Sequence, residues 1–517
     1  MPSILPTAEA APAHPVVKGV ANGSSNPLLA NVPNKLFIGG QWVDAESGKT
    51  FPVLDPRTGE EVFRVAEADK ADVDKAVAAA RKAFDEGPWP RMSGKTRDKI
   101  LVKLAELIEA NAEELAKIES LDNGKPLAMS KIADIPLSAD HFRYYAGWAD
   151  KIHGKTIPCD NMLGKWFAYT LHEPIGVVGQ IIPWNFPLLM LAWKVAPALA
   201  AGNTIVLKPA EQTPLNALRF ATLCEEAGIP AGTVNVLPGY GPTAGAAICR
   251  HPQVDKLAFT GSTEVGRIVM REAAERIVPV SLELGGKSPL IVDKSVDVDK
   301  AVEQAHFACF FNHGQCCAAG TRTYVHADIY DEFVQKAAAR AQRRVVGDPF
   351  EEATEQGPQI DQDQLDKILN LMSIGEREGA RLMCGGKRHG EKGYFIQPTV
   401  FADVTEDMTI AREEIFGPVQ SILKFHTTEE VIKRANQNEY GLASGILSND
   451  VNFINTVSRS LKAGTVWVNT YNVYESGVPF GGYKSSGIGR DKGEYALEAY
   501  TQVKAVYQAL EGEPDWY

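Results

Sequence analysis

The stretch GVVGQIIPWNFPLLMLAW, residues 176–193, decides the fold class of this chain. Its first part, Gly176 to Ile182, is a short apolar run that ends in a Pro-Trp-Asn turn, and it predicts a buried strand. A helix is predicted to begin at Pro187. The uncharged run from Pro174 to Trp193 is long enough to span a membrane, but its prolines and polar residues divide it into strand, turn and helix. We therefore expect no membrane-spanning segment here.

The same alternation of strand and helix continues along the chain. Further strands are predicted at Thr204–Lys208, Thr233–Leu237 and Lys256–Thr260, with helices beginning near Pro214, Pro242 and Ser262. Strands that alternate with helices of this length indicate a parallel sheet with helices on both faces, so the predicted fold class is α/β. In such sheets a ligand binds outside the carboxyl ends of the strands.

Composition excludes several classes of partner. A length of 517 residues is typical of about three domains, and a net charge of −12 argues against nucleic acid or an anionic membrane as a partner. The seven cysteines are an odd number without metal-ligand spacing, so we expect reduced thiols and no metal site. Residues 1–34 contain one lysine and no arginine, which predicts a disordered N-terminal tail on a cytoplasmic protein.

A thiol and a carboxylate stand out as chemically unusual. The stretch FFNHGQCCAAG, residues 310–320, places two cysteines among small residues, where backbone and substrate can approach closely. Glu283 lies in the apolar run SLELGGKSP, residues 281–289, where an unpaired carboxylate is costly unless its pKa is raised. A lone cysteine is more often a buried apolar residue, but a thiol together with a candidate base indicates a nucleophile.

Two strand ends carry groups suited to a phosphate or a ribose. The segment Thr260–Gly266 ends a strand in glycine and opens a helix with hydroxyls, so it offers backbone N–H groups and a helix dipole to a phosphate. It is not the Gly-x-Gly-x-x-Gly fingerprint, and an ordinary N-cap in a tight turn remains an alternative. Lys208 and Glu211 follow a neighbouring strand and are suited to ribose hydroxyls or to a solvated ion pair.

Seven motifs in order make the chain resemble the aldehyde dehydrogenase superfamily, specifically its hydrolytic NAD(P)-dependent members. The resemblance extends from about Leu36 to near Val506. The motifs are PWNFP at 183–187, KPAEQTP at 208–214, FTGSTEVG at 259–266, LELGGKSP at 282–289, FFNHGQCC at 310–317, EEIFGP at 413–418 and PFGGYKSSG at 479–487.

The resemblance implies a role for each matching residue. Cys317 takes the place of the nucleophile, Glu283 that of the general base and Asn185 that of the oxyanion donor. The cofactor-binding residues that it implies are Ile181, Trp184, Lys208, Glu211, Gly261, Ser262, Thr263, Gly266, Glu414 and Phe416. A carboxylate at 211 would repel a 2′-phosphate, so NAD is favoured over NADP.

The resemblance also implies a substrate tunnel and a division into parts. The tunnel residues are Leu137, Phe186, Met190, Trp193, Tyr474 and Phe480, whose apolar character favours an aliphatic or aromatic aldehyde. The parts are a Rossmann-like NAD-binding domain (35–153 and 174–285), a catalytic domain (286–485) and a small β oligomerisation element (154–173 and 486–517). An open strand edge in that element implies a homotetramer or a dimer. Gln502 departs from the glutamate that related tetrameric enzymes often carry in this strand.

Three other functions have to be weighed against this one. A thiol esterase would not need the cofactor residues Lys208, Glu211, Ser262 and Glu414. A relative that has lost catalysis would not need Cys317 and Glu283, which are both present. Relatives that transfer the acyl group to coenzyme A lack the general base, so Glu283 favours transfer to water.

Overall fold

A computed structural model describes residues 26–161 and 164–510, and its largest feature is an eight-stranded sheet. From one edge to the other the strands are Gln41–Val43, Leu36–Ile38, Val234–Val236, Thr204–Lys208, Val177–Ile181, Lys256–Thr260, Val280–Glu283 and Gly487–Ile488. The five central strands are parallel, and their register aligns Ile181 with Lys208 and Thr260 with Glu283. The carboxyl ends of all five strands therefore lie at the same end of the sheet.

Helices cover both faces of this sheet, which confirms the predicted α/β class. Their bounds are Lys70–Asp85, Gly94–Ala110, Ala112–Asn123, Leu127–Met129, Ile135–Ala146, Pro187–Ala201, Leu215–Ala227, Ala246–Arg250 and Thr263–Arg276. Every residue of Pro187–Ala201 is buried, because this apolar helix lies between the sheet and the outer helices. The helix predicted near Pro242 starts as a π-helical turn, Gly241–Gly245, and becomes an α-helix at Ala246.

A seven-stranded sheet forms the second α/β unit. Its strands in order are Arg381–Cys384, Thr399–Ala402, Val419–Phe425, Arg322–His326, Pro289–Val292, Ala443–Leu447 and Thr465–Val468. All neighbouring pairs are parallel except the first. The helices of this unit are Val298–Phe310, Tyr330–Gln342, Gln362–Arg377, Thr409–Arg412, Thr428–Asn436 and Val451–Ser460.

A separate three-stranded antiparallel sheet joins the hairpin Thr156–Asn161 and Gly164–Pro174 to the strand Thr501–Ala509. The short helix Tyr495–Glu498 leads into that last strand. Two small two-stranded sheets complete the fold, namely Thr50–Asp55 with Glu60–Ala66 and Tyr440–Gly441 with Tyr483–Lys484. No helix in the described part of the chain is long and apolar enough to cross a membrane.

Two predicted boundaries differ from the structure. The N-terminal tail was expected to extend to residue 34, but Leu29, the last residue of the short helix Pro27–Leu29, and Val32 are both fully buried. Residues 1–25 of that tail lie outside the described residues. Gly487–Ile488, expected in the oligomerisation element, is instead an edge strand beside Val280–Glu283. A glycine-rich segment has no apolar alternation, so its pairing could not be read from the sequence.

Candidate active site

The two cysteines follow a tight left-handed turn between the two large sheets. Asn312, His313 and Gly314 have φ angles of 49°, 60° and 73°. A Cβ atom on Gly314 would lie 2.0 Å from the Gly417 carbonyl oxygen, so only glycine fits there. Such consecutive left-handed residues are strained and persist only when the surroundings hold them.

Buried hydrogen bonds hold this turn in place. His313 contacts the Pro358 carbonyl oxygen through Nδ1 at 2.9 Å, and its Nε2 accepts a hydrogen bond from the Gly357 N–H at 3.1 Å. The Ile360 N–H donates to Gln315 Oε1 at 3.0 Å. These contacts compensate the backbone strain and set the position of the residues that follow.

The two thiols differ in access. Cys316 is 4% exposed, whereas Cys317 is half-buried. A hydrogen bond with the Cys316 thiol, together with burial, raises the pKa of Cys317 well above its usual value. The raised pKa favours the thiol form of Cys317, which must lose its proton before it can act as a nucleophile.

Glu283 ends the strand Val280–Glu283 with its side chain buried. The side chain lies against Gly481, where an added Cβ would come within 2.7 Å of Glu283 Oε1. Its Oε2 atom is buried and has no hydrogen-bond partner among the described residues. Burial, reinforced by the negative charge of Asp491, raises the pKa of Glu283 well above its usual value. Such a carboxyl holds a proton more readily than an exposed glutamate does, and its carboxylate form is a stronger base.

Asn185 lies in the turn between strand Val177–Ile181 and helix Pro187–Ala201. Its Nδ2 donates to the Gln315 carbonyl oxygen at 3.0 Å, and Asn312 Nδ2 donates back to the Asn185 carbonyl oxygen at 2.9 Å. An amide nitrogen carries two hydrogens, so one remains to stabilise a negative oxygen. The turn that carries Asn185 and the cysteine turn are thus held together as one unit.

Two cavities meet at Cys317 and Glu283. The first has a volume of about 180 Å³, and the second, which is more apolar, has about 300 Å³. The residues common to both linings are Met190, Thr260, Glu283 and Cys317. Cys316 borders only the second cavity. A molecule in either cavity therefore reaches the same thiol and carboxyl.

The first cavity extends along the carboxyl ends of the parallel strands. Of the predicted cofactor residues, those that line it are Trp184, Gly261, Ser262, Glu414 and Phe416. The Trp184 and Phe416 rings meet edge to face with centroids 5.2 Å apart. Glu414 Oε1 accepts a hydrogen bond from the Gly286 N–H at 2.9 Å, and burial raises the pKa of this carboxyl.

The remaining predicted cofactor residues lie at the neighbouring strand and helix ends. Lys208 Nζ is 3.1 Å from Glu211 Oε2, and burial lowers the pKa of this lysine. A Cβ on Gly245 would lie 3.5 Å from the Lys208 side chain and 3.9 Å from that of Ile181. Ser262 caps the helix Thr263–Arg276 through a hydrogen bond from the Val265 N–H. Thr263 and Gly266 are in its first turn, which makes the predicted phosphate turn also an N-cap.

The second cavity has an aromatic wall. All six predicted tunnel residues line it, namely Leu137, Phe186, Met190, Trp193, Tyr474 and Phe480. Trp193, Tyr474 and Phe480 form one cluster, with ring centroids 5.3 to 5.9 Å apart. This lining suits an apolar organic group.

Sequence reasoning missed several lining residues. Gln364 and Lys367 border the first cavity from the helix Gln362–Arg377, and Thr260 borders both cavities. Phe311 lines the second cavity and stacks on Phe186 with centroids 5.9 Å apart. Phe311 belongs to the cysteine stretch, so its closeness to the thiols in the sequence could have predicted that it lines the cavity. The sequence carries no comparable signal for Gln364 and Lys367.

Comparison with known proteins gives consistent matches over most of the chain. The model of the "Aldehyde dehydrogenase family" matches residues 42–506. A mitochondrial benzaldehyde dehydrogenase from Antirrhinum majus is 60% identical over 484 residues, which is 93% of this chain and 90% of that protein. A human mitochondrial aldehyde dehydrogenase is 59% identical over 475 residues, or 92% and 91% of the two chains. The NAD⁺ complex of a Bacillus cereus aldehyde dehydrogenase superposes with a TM-score of 0.91 at 51% identity, covering 92% and 96%.

These relatives contradict the expected cytoplasmic location. The relatives from Antirrhinum majus, Arabidopsis thaliana and Homo sapiens, at 59–60% identity, are all named mitochondrial. The expectation rested on the absence of arginine from residues 1–34. Amino-acid content only correlates with targeting, because a receptor recognises the targeting segment itself. The prediction of a cytoplasmic location was therefore wrong.

Proposed function

The chain belongs to the aldehyde dehydrogenase family, and on that premise we propose that Cys317, Glu283 and Asn185 perform its reaction where the two cavities meet. The protein is an NAD-dependent enzyme that oxidises an aldehyde to the carboxylic acid through a cysteine thiohemiacetal and a thioester. The observation that carries the assignment of these residues is the position of Cys317 and Glu283 in the linings of both cavities.

Each of the three residues has a task that follows from its surroundings. Cys317 first releases its thiol proton to water. The thiolate then adds to the aldehyde carbonyl carbon, and the free hydrogen of the Asn185 amide stabilises the oxygen that becomes negative. When bound, NAD supplies the hydride acceptor. Glu283 then removes a proton from the water that attacks the thioester. A buried carboxyl with one unpartnered oxygen is suited to this task, and it favours water over coenzyme A as acyl acceptor.

We propose that NAD lies in the first cavity and along the strand ends beyond it. The residues fit such a group: the helix Thr263–Arg276 would present its N-terminus to a diphosphate, and the Lys208–Glu211 pair lies at the carboxyl end of a parallel strand. Trp184, Glu414 and Phe416 would hold the nicotinamide half beside Cys317. The Glu211 carboxylate favours NAD over NADP by charge repulsion with a 2′-phosphate.

The substrate that we propose is an apolar aliphatic or aromatic aldehyde. It would occupy the cavity of about 300 Å³, which has room for a benzene-sized group and an aromatic wall to contact it. The name of the Antirrhinum majus relative, benzaldehyde dehydrogenase, supports the aromatic case.

We further propose that the molecule consists of three parts and assembles into a homotetramer or a dimer. The eight-stranded sheet would be the NAD-binding domain, the seven-stranded sheet the catalytic domain, and the three-stranded sheet the oligomerisation element. The last of these exposes apolar side chains on both faces: Ile157, Val503 and Tyr507 on one, Phe167 and Leu171 on the other. Such a surface, with an edge strand beside it, is typical of a subunit interface.

A mitochondrial location is proposed on the strength of the relatives' names. Isolated mitochondria incubated with the full chain should protect it from added protease, whereas a chain that begins at residue 26 should stay accessible. Equal digestion of both chains would argue against import.

The experiment that tests the site assignment compares the two cysteines. Cys317→Ala should abolish reduction of NAD by an aldehyde, followed by absorbance at the NADH band, while NAD binding is retained. Cys316→Ala is the matched control, and its activity should fall by no more than about tenfold, because it removes a neighbour and not the attacking sulfur. If Cys316→Ala were the inactive variant, the choice within the pair would be wrong.

A further inference from the structure

A buried lysine lies behind the aromatic wall of the second cavity. Lys492 is 3% exposed, and its Nζ is 4.9 Å from the Trp193 ring centroid and 5.2 Å from that of Tyr474. Both rings line the cavity, whereas Lys492 does not. The ammonium group therefore contacts these rings from outside the space in which the substrate would lie.

The charge of Lys492 is not neutralised by an ion pair. Across residues 26–161 and 164–510, no carboxylate oxygen lies within 4.0 Å of its Nζ. The contrast is with Lys194, which pairs with Asp491 at 3.0 Å, and with Lys125, which pairs with Asp134 at 2.6 Å. Burial and the charge of Lys492 together lower the pKa of the adjacent His141 to about 3, so this charge acts on neighbouring groups.

The other ionisable groups in the cavity wall do little to offset this charge. Asp134 is a lining residue, but its carboxylate is in an ion pair with Lys125. Burial raises the pKa of Glu283 well above its usual value, which favours its neutral form. Glu475, Asp140 and Asp491 also face Lys492, and Asp491 pairs with Lys194, so the Lys492 ammonium is the charged group that contacts the rings of the aromatic wall directly.

This arrangement changes what an aromatic wall would ordinarily bind. The faces of tryptophan and tyrosine attract organic cations such as quaternary ammonium groups. Here the Lys492 ammonium group already contacts the Trp193 and Tyr474 rings from outside the cavity. A cation inside the cavity would be repelled by this like charge on the other side of the rings. We propose that Lys492 makes the substrate cavity select against aldehydes that carry a positive charge and in favour of neutral aldehydes of the same shape. This inference rests on the proposed function of the same cavity.

The test uses two aldehydes of nearly identical shape and different charge. Trimethylammonioacetaldehyde is the cation, and 3,3-dimethylbutanal is its neutral isostere. Wild-type enzyme should have the higher kcat/KM with the neutral isostere. Lys492→Met should raise the ratio of kcat/KM for the cation to that for the isostere about tenfold, because a like charge on the other side of the rings is removed. Lys492→Arg keeps the charge and should keep the wild-type ratio.

A second measurement needs no variant. The pKa of Lys492 is lowered to about 8, first by burial, so the wild-type ratio should move toward the Lys492→Met value between pH 7 and pH 9.5. The other charged groups that face Lys492 are Glu475, Asp140 and Asp491, whereas the adjacent His141, with a pKa of about 3, is neutral over this range. Rates that depend on Cys317 or Glu283 cancel in the ratio. Asp134, whose pKa burial raises to about 7, and Glu283, whose pKa is also raised, line the cavity and gain negative charge in both enzymes, so the ratio should rise more steeply with pH in the wild type than in Lys492→Met.

Two results would overturn the proposal: a ratio that Lys492→Met leaves unchanged, or a wild-type enzyme that prefers the cation. Activity with the neutral isostere shows separately that each variant is folded and that the proposed function holds. A wild-type enzyme that oxidises neither aldehyde would contradict the proposed function and, with it, this inference.

Discussion

At the residue scale, Glu283 separates the two halves of the reaction. Glu283→Gln keeps the shape of the side chain and removes the proton acceptor. In rapid mixing we expect about one equivalent of NADH per active site in a burst, followed by a steady rate about 10²- to 10⁴-fold below wild type. The control is the rate at which Cys317 is alkylated, which should equal that of the wild type. Absence of the burst with normal alkylation would contradict a role in thioester hydrolysis.

The pH dependence of the steady rate follows from the same carboxyl. Burial raises the pKa of Glu283, so its carboxylate form, which accepts the proton from water, increases as pH rises through that raised value. The wild-type rate of thioester hydrolysis should therefore rise with pH and reach a plateau. Glu283→Gln should show no such plateau. A wild-type rate that falls over the same range would mean that the neutral form is the active one.

Glu211 is the residue at which cofactor choice can be tested. It pairs with Lys208 and is only partly buried. Glu211→Gln should raise the ratio of kcat/KM for NADP to that for NAD about five- to tenfold, since it removes repulsion of the 2′-phosphate. Glu225→Gln is a suitable control, because it removes a carboxylate that interacts with Trp42 away from the strand ends. An unchanged ratio would exclude Glu211 from this role.

At the scale of single elements, the left-handed turn before the cysteines can be tested with a matched pair of glycines. Gly314 and Gly228 both have positive φ, 73° and 87°, but a Cβ would collide with the Gly417 carbonyl only at Gly314. Gly228→Ala should cost about 1 kcal/mol of unfolding free energy and leave kcat unchanged. Gly314→Ala should lower kcat/KM by at least about 100-fold, because the cysteine turn must move.

Urea unfolding and steady-state kinetics on both variants give the two readouts. Equal losses of activity in the two variants would show that backbone strain matters, and that the close contact with Gly417 does not. The comparison therefore separates the conformational cost of a left-handed residue from the positioning of the nucleophile.

At the scale of the whole molecule, the exposed three-stranded sheet is the part expected to join subunits. Val503 and Tyr507 are 63% and 69% exposed on the strand Thr501–Ala509. Tyr507→Glu combined with Val503→Glu should shift a tetramer or dimer to smaller species in light scattering, because burying unpaired carboxylates costs several kcal/mol. Gln41→Glu adds a charge on an exposed strand elsewhere and should leave the assembly intact. An unchanged mass of the double variant would place the interface elsewhere.

The sequence by itself determined the order of strands and helices between Gly176 and the helix that begins near Ser262, and it singled out the residues of highest chemical interest. The strands Thr204–Lys208 and Lys256–Thr260 have the predicted bounds. Each is a local apolar run that ends at a proline or glycine, so the sequence encodes its bounds directly. Cys317, Glu283 and Asn185 could be singled out by their motifs, and their roles stay predictions.

Only the tertiary structure decided what surrounds those residues. Gln364, Lys367 and Lys492 come from segments that are remote along the chain. Tertiary packing brings the first two to the first cavity and places Lys492 behind the aromatic wall of the second. Gly487–Ile488 joins the eight-stranded sheet, and Leu29 enters the core, for the same reason. Local sequence patterns report which element forms, whereas contacts between distant elements depend on how their side chains pack, which no single stretch contains.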